Sequence, residues 1–333
     1  MNNNKPTVFV TGATGFIGRK LCAGLAAEGH IVHALCRDIH HPNRIQHPHI
    51  KFFKGDILDK QSLLFAMRDC EQVYHTAAMA KMWCKNSRDF YDINVIGTRN
   101  VLEAAVETGT QKLVYTSTCG VWGPTVKYPM TETDPRVAGF SIDYERTKYL
   151  AELEVNAFVK KGLQVVTVNP SRVYGEGPVT DSNTVSKMVN GYLNGTWRII
   201  PGNGERVANY AYLDDVVAGH IHAMAFGKNG HRYILGGEDI SFNRFFETLA
   251  EVSGRCLRMI HAPQRLIKFY SRVEWLKTRL TGLPPFFLPE FADRLKFDLK
   301  YSSDKAIGQL NYKITPFAEG LKRTVDYLEK HSA

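Results

Sequence analysis

Tyr144-Glu145-Arg146-Thr147-Lys148 sets a phenol and an ammonium four residues apart. On a helix that spacing puts both on one face, one turn from each other. A nearby cation favours the phenolate and lowers a pKa that is about 10 when unperturbed. The expected result is a group that exchanges a proton with a substrate oxygen near neutral pH. Upstream, Tyr115-Thr116-Ser117-Thr118-Cys119-Gly120 offers a run of hydroxyls. Closer to the start, Thr11-Gly12-Ala13-Thr14-Gly15-Phe16-Ile17-Gly18 spaces its glycines as G-x-x-G-x-x-G. Gly12 permits a tight turn, Gly15 lets backbone approach a pyrophosphate, and Gly18 lets a helix pack close to a sheet. The backbone of Thr14, Phe16 and Ile17 then offers N–H groups to the phosphates at a helix N-terminus. Together these residues predict dinucleotide binding beside a proton-transfer site.

The choice of dinucleotide turns on His33-Ala34-Leu35-Cys36-Arg37-Asp38. An acidic residue at the end of the second strand binds a ribose 2′-hydroxyl, whereas an arginine accommodates a 2′-phosphate. Cys36 stands in the acidic position and Arg37 follows it, which favours NADP(H); Asp38, one residue on, keeps NAD(H) as the alternative. Gly55-Asp56-Ile57 places Asp56 near an adenine amino group, or in a simple turn. His75-Thr76-Ala77-Ala78 supplies small residues beside the cofactor.

The elements that must position these groups alternate. Continuous apolar runs at Thr7–Thr11, Ile31–Cys36, Ile50–Phe53, Val73–Thr76, Lys112–Thr116 and Gln164–Val168 read as strands buried on both faces. Helical patterns lie between them at 15–28, 60–69, 89–109 and 143–161. The fold class is therefore α/β, a Rossmann-type doubly wound parallel sheet. After Pro170 glycine and proline increase, and from Ser241 helical segments dominate. The expected division is a cofactor domain at 1–170 and a smaller, mainly helical substrate domain at 171–333, with later segments free to rejoin the first.

In T-G-x-x-G-x-x-G, G-D-I, H-T-A-A, the strand-end T-S-T and Y-x-x-x-K, nearly the whole chain resembles the extended short-chain dehydrogenase/reductases. The resemblance implies that Tyr144 is the acid/base and that Lys148 binds the nicotinamide ribose and lowers the phenol pKa. It implies that Thr118 hydrogen-bonds the reacting oxygen, with Ser117 as the alternative hydroxyl. Thr116 ends the strand on the nicotinamide side. Asn94 matches the asparagine that supports the active site. Pro170-Ser171-Arg172-Val173-Tyr174-Gly175 looks like the segment under the nicotinamide, so Pro170 and Val173 join the cofactor residues. A homodimer through the two long helices is a further implication.

Dehydratases of this kind carry an acidic pair after the strand-end hydroxyl, where this chain has Cys119 and Gly120. Nucleotide-sugar epimerases show asparagine where Arg172 stands. Asn169-Pro170-Ser171, Arg37 and the stretch from Pro263 through Pro284-Pro285 to Leu288-Pro289 look more like the dihydroflavonol-reductase and hydroxysteroid-dehydrogenase-like branch. That branch implies NADPH-dependent reduction, or the reverse oxidation, of a ketone or aldehyde on a largely apolar molecule. Met79, Met82, Trp83 and Trp122 are candidates for its pocket. An NAD-dependent nucleotide-sugar epimerase and a non-catalytic NADP(H) redox sensor are the alternatives.

The 333 residues carry a net charge of +9, and the Arg255–Lys300 segment, with ten Lys/Arg and four Asp/Glu, holds most of it. No zinc-finger spacing or aromatic RNA-binding signature accompanies the charge, so nucleic acid is not expected. A membrane surface ranks below a substrate-pocket lid as the role of this segment. Six of the twelve histidines fall in 30–49 without regular ligand spacing, so no metal site is expected there. Six scattered cysteines suit reduced thiols. Met1-Asn2-Asn3-Asn4-Lys5-Pro6 has no apolar signal core, and no run reaches the roughly 18 apolar residues of a spanning helix. The expected location is cytoplasmic.

Overall fold

The computed structural model describes residues 5–125, 127–180, 183–283, 285 and 289–331. Pro284 and Leu288 of the C-terminal stretch lie outside them, as do Met1 to Asn4. The apolar runs become β1 (Val8–Thr11), β2 (Val32–Cys36), β3 (Ile50–Lys54), β4 (Gln72–His75), β5 (Lys112–Thr116) and β6 (Val165–Pro170). Later come β7 (Arg172–Tyr174), β8 (Ile199–Pro201), β9 (Val207–Tyr212), β10 (Arg232–Leu235), β11 (Glu238–Ser241) and β12 (Ile260–Ala262). The helices are α1 (Phe16–Ala27), α2 (Lys60–Met67), α3 (Arg88–Tyr91), α4 (Gly97–Glu107), α5 (Asp143–Lys160) and α6 (Thr184–Leu193). They continue as α7 (Leu213–Phe226), α8 (Phe242–Ser253), α9 (Gln264–Thr281), α10 (Pro289–Arg294), α11 (Asp304–Leu310) and α12 (Phe317–His331).

Seven strands form a parallel sheet in the order β3-β2-β1-β4-β5-β6-β10. The order reverses between β1 and β4, which opens a crevice at the carboxyl ends of the strands. One face is covered by α1, α7 and α11 through Leu21, Leu25, Val216, Val217 and Leu310. The other is covered by α2, α4 and α5 through Leu63, Val101, Leu102, Ala151 and Val155. The last strand arrives late: β10 leaves the second half of the chain and pairs with β6, from Arg232 beside Thr167 to Leu235 beside Pro170.

The remaining segments build a smaller unit. A three-stranded sheet, β11-β9-β7, and a parallel pair, β8 with β12, pack with α6, α8 and α12 around Trp122, Tyr210, Phe245, Phe246 and Leu321. Local chemistry fixes its ends: Ser241 caps α8 by accepting the Arg244 N–H, and Gly254 closes it at φ 66°. The sequence pattern of one helix over 89–109 resolves into α3, a π-helical turn at Asp92–Ile96, and α4. Such turns recur at functional sites, and this one carries Asn94.

The glycine loop is closed by contact as much as by backbone angle. Gly12 sits at φ 69°, where an L side chain is strained. A Cβ on Gly18 would lie 2.2 Å from Gly12 O and 2.7 Å from Thr76 Oγ1. Gly18→Ala is therefore expected to push α1 off the loop and destabilise the fold by about 1–3 kcal/mol, the usual range for overpacking. Urea unfolding checks this; an unchanged midpoint would mean that the loop yields freely.

Candidate active site

The crevice is a cleft of about 280 Å³. Gly12, Gly15, Phe16, Ile17 and Gly18 line one wall, and Thr76, Ala78 and Met82 continue it. Thr116, Thr118, Tyr144, Lys148, Pro170 and Val173 line the same cleft. Gly15 precedes α1 in extended conformation, and the first turn has no side-chain cap and no acidic residue. Free N–H groups and the positive dipole end therefore remain for an anion. A Cβ on Gly15 would meet only Gly12 O, at 3.1 Å. A dinucleotide pyrophosphate fits this loop.

Tyr144 and Lys148 share the first turns of α5, yet they do not face each other chemically. Lys148 is buried and donates to Thr116 O at 2.7 Å, with its ammonium 4.3 Å from the centre of the Tyr115 ring. Burial pulls its pKa down to about 7, opposed by Glu152. The Tyr144 phenol, half-buried in the cleft wall, is pushed up to about 12 by desolvation, opposed first by the neighbouring Thr118 hydroxyl. The expected lowering by Lys148 is thus not found here: the lysine turns to a carbonyl and a ring face, and burial sets the phenol. Thr118 also accepts the Gly120 N–H at 3.1 Å. Ser117 Oγ is buried in the cleft wall with no hydrogen-bond partner among the described residues.

The other expected site residues divide. Arg37 is exposed just beyond β2, and Asp38 accepts the His40 N–H at 2.8 Å. Asp56 accepts the Leu58 N–H at 2.9 Å, a turn bond. Ile57 is buried against the Gly97 backbone, and its carbonyl accepts from Asn100. Thr14 and Ala77 stay outside the cleft lining, and the Ala77 N–H donates to Thr11 Oγ1. Met79 and Trp83 also stay off the lining, whereas Met82 is on it. Trp122 also stays off this lining: it is buried in the core of the smaller unit, under the Arg232 guanidinium at 4.6 Å, and borders a second cavity with Arg136 and Tyr149. In the histidine-rich loop His41 and His47 accept N–H groups of their own turns. Among the described residues no cluster of His, Cys, Asp or Glu can hold a metal ion, and all six cysteines are free.

The fold adds residues that the motifs did not point to. Lys81, Glu145, Arg172 and Arg294 line the cleft. Glu145 is buried between two guanidiniums, 2.6 Å from Arg294 and 3.0 Å from Arg136. Arg172 lies over the Tyr210 ring at 5.9 Å, and among the described residues no carboxylate is within ion-pair distance of it. Arg172 was visible in the sequence only as a departure from the epimerase pattern. Nothing in the sequence marks Arg294, which α10 brings back to the cleft.

The sheet and its cleft are those of a nicotinamide-dinucleotide-dependent oxidoreductase. The chain belongs to the NAD dependent epimerase/dehydratase family, which it matches over residues 8–236. It is 31% identical to the sterol-4-alpha-carboxylate 3-dehydrogenase, decarboxylating, of Mus musculus, over 95% of this chain and 89% of that protein. It is 30% identical to the 2-alkyl-3-oxoalkanoate reductase of Stenotrophomonas maltophilia, over 95% of this chain and 97% of that protein. The UDP-glucose 4-epimerase of Thermotoga maritima superposes with a TM-score of 0.81 at 25% identity, over 98% of this chain and 100% of that one.

Beneath the cleft floor two buried imidazoles tie the strand ends together. His75 contacts Thr11 Oγ1 at 2.7 Å and Thr98 Oγ1 at 3.0 Å. His220 contacts Thr116 Oγ1 at 2.8 Å and Val216 O at 2.7 Å. Burial pulls His75 down to about 3, with Lys148 adding to the effect, and His220 down to about 4. Both stay neutral in the fold where an unfolded histidine, at about 6.5, takes up a proton. Below that pH the unfolded state binds more protons, so stability falls as pH falls, until each folded pKa is reached. The expected slope is up to about 1.4 kcal/mol per pH unit for each histidine. Urea unfolding between pH 7 and 5 should show it, and His75→Gln should make the slope shallower. An equal slope in that variant would remove His75 from the account.

Proposed function

We propose that the protein is an NADPH-dependent reductase, or reverse dehydrogenase, of a ketone or aldehyde on a largely apolar small molecule. The observation that carries this reading is that Thr118, Tyr144 and Lys148 line one cleft with the glycine loop. NADPH, when bound, supplies the hydride. Tyr144, with its phenol pushed up to about 12, is protonated at neutral pH and donates that proton to the carbonyl oxygen as the C–H bond forms. Thr118, in the same cleft lining, steadies the developing alkoxide. Lys148, anchored on Thr116 O, supports the ribose side.

Arg37 favours the 2′-phosphate because its guanidinium is exposed at the end of β2, while the Asp38 carboxylate is engaged by its own turn. Arg44 adds a second charge there: it lowers the Cys36 thiol, which burial raises.

Arg172 refines the substrate. Burial disfavours its charge, and the neighbouring Arg294 charge disfavours it further. A half-buried guanidinium without a carboxylate is poorly compensated until an anion meets it, and perturbed groups of this kind gather at functional sites. The two relatives named above act, by their names, on an alkanoate and on a sterol carboxylate. The substrate read from these points is an apolar 3-oxo or 3-hydroxy compound bearing a carboxylate. The same two arginines would also meet a nucleoside diphosphate, which keeps the sugar epimerase as the second reading.

Titration with NADPH and NADH should give clear preference for NADPH, and Tyr144→Phe should lose about 10²–10⁴-fold in turnover with NADPH binding retained. Arg172→Leu should raise KM for a 3-oxo acid about tenfold to a hundredfold, the worth of a charged hydrogen bond, and leave KM for its methyl ester unchanged. Tightly retained NAD together with turnover of a UDP-sugar would overturn the reductase reading.

A further inference from the structure

Helix α9 is folded inside out. An ordinary surface helix turns its apolar stripe to the core and its polar face to water. In α9 the inward side begins with Ile267, which packs against the smaller core, and continues as Ser271, Glu274 and Thr278, all three buried. Its outward stripe is Leu266, Phe269, Val273, Leu276 and Leu280, and these five are 47–79% exposed. The spacing alternates three and four residues, so they form one continuous seam along the helix. Leu283, just past the helix-closing Gly282, adds a sixth exposed apolar group.

The charges beside the seam are of one sign. Arg265, Arg272 and Arg279 recur every seven residues and run along one edge. Among the described residues none of the three has a carboxylate within ion-pair distance. Along the other edge stand Tyr270, half exposed, and Lys277. A second α9 laid on this seam, in either direction, would face cations with cations or with Tyr270, never with an acid. A lipid surface satisfies both features: the stripe enters the acyl boundary while guanidiniums meet anionic headgroups. No helix among the described residues is long and apolar enough to cross a membrane, so the helix would lie in the surface plane.

We propose that α9 docks the protein on an anionic lipid surface through the Leu266–Leu280 seam and the Arg265–Arg272–Arg279 edge. α10, whose Arg294 lines the cleft, packs against α9, so docking sets the substrate end of the cleft close to the lipid. The docking itself does not depend on which reaction the cleft performs.

The test is flotation of the full chain with vesicles of phosphatidylcholine alone and of phosphatidylcholine mixed with phosphatidylglycerol. The protein should float with the mixed vesicles, bind the neutral ones at least tenfold less, and be released by high salt, which screens the charges. Phe269→Ser/Leu276→Ser/Leu280→Ser should lose flotation at least tenfold with an unchanged melting curve, because these side chains are already exposed. Arg272→Glu/Arg279→Glu should lose the preference for phosphatidylglycerol. Absence of flotation with mixed vesicles, or equal flotation of the triple serine variant, would overturn the proposal. So would a dimer in light scattering that the serine variant abolishes, which would assign the seam to a second copy.

Discussion

The proton count at His75 constrains the floor of the site. Thr98 gives its single hydroxyl proton to Asn94 O at 2.7 Å, so the proton between Thr98 and the imidazole must come from Nε2. A neutral ring then accepts at Nδ1, from Thr11, whose oxygen is left to receive the Ala77 N–H at 3.2 Å. Asn94 extends the chain: it pairs both polar groups of the Met79 backbone and donates to Thr147 Oγ1 at 2.9 Å. Thr147 passes its own proton to Asp143 O, one residue before Tyr144. An unbroken sequence of donors and acceptors thus runs from the strand before the glycine loop to the turn that carries the phenol. The links from Thr11 through His75, Thr98 and Asn94 to Thr147 are buried, so a broken one there costs about 1–3 kcal/mol. A second proton on His75 would reverse the bond to Thr11 and add charge near Lys148.

The same economy explains why the chain returns to its first sheet. Asn169, at the end of β6, donates to Thr118 O at 3.1 Å and to Glu152 of α5 at 2.8 Å. Glu152 is buried, and its other oxygen is met by Arg232 of β10 at 3.3 Å. Without β10 the carboxylate would lack its guanidinium, and Arg232 would not cover Trp122. Burying a charge is tolerable only with a partner in place. The late strand therefore completes the electrostatics under Thr118 as well as the sheet. Division of the chain near residue 170 separates what these contacts join.

Much of the frame was legible in the sequence because its signals are local. Six strands announce themselves as apolar runs, and their observed ends differ from the expected ones by a residue or two. The glycine loop, the hydroxyl run and Tyr144 with Lys148 do meet in one cleft. β10 was not legible: four residues after a glycine turn look like any short apolar run until β6 is there to receive them. Arg136 and Arg294 were invisible for the same reason, since only the fold sets them on either side of Glu145. Trp122 follows the strand-end hydroxyls in sequence, but the fold sets its ring in the smaller core, beside a second cavity and off the cleft.

Periodicity names a face without saying what lies against it, and two helices make the point in opposite ways. In α5 the four-residue spacing correctly puts Tyr144 and Lys148 on one side. Yet the lysine stem is long enough to reach the Thr116 carbonyl, and a buried ammonium is held first by whatever acceptor is closest. Desolvation then raises the phenol and lowers the lysine, which keeps the proton on Tyr144 at neutral pH. In α9 the seam is as regular as that of any core-facing helix, and the expected reading is a lid closed over a pocket. Ser271, Glu274 and Thr278 take the inward side instead, which leaves the seam to solvent. In both helices the sequence supplies the spacing, and the surroundings decide which group is desolvated.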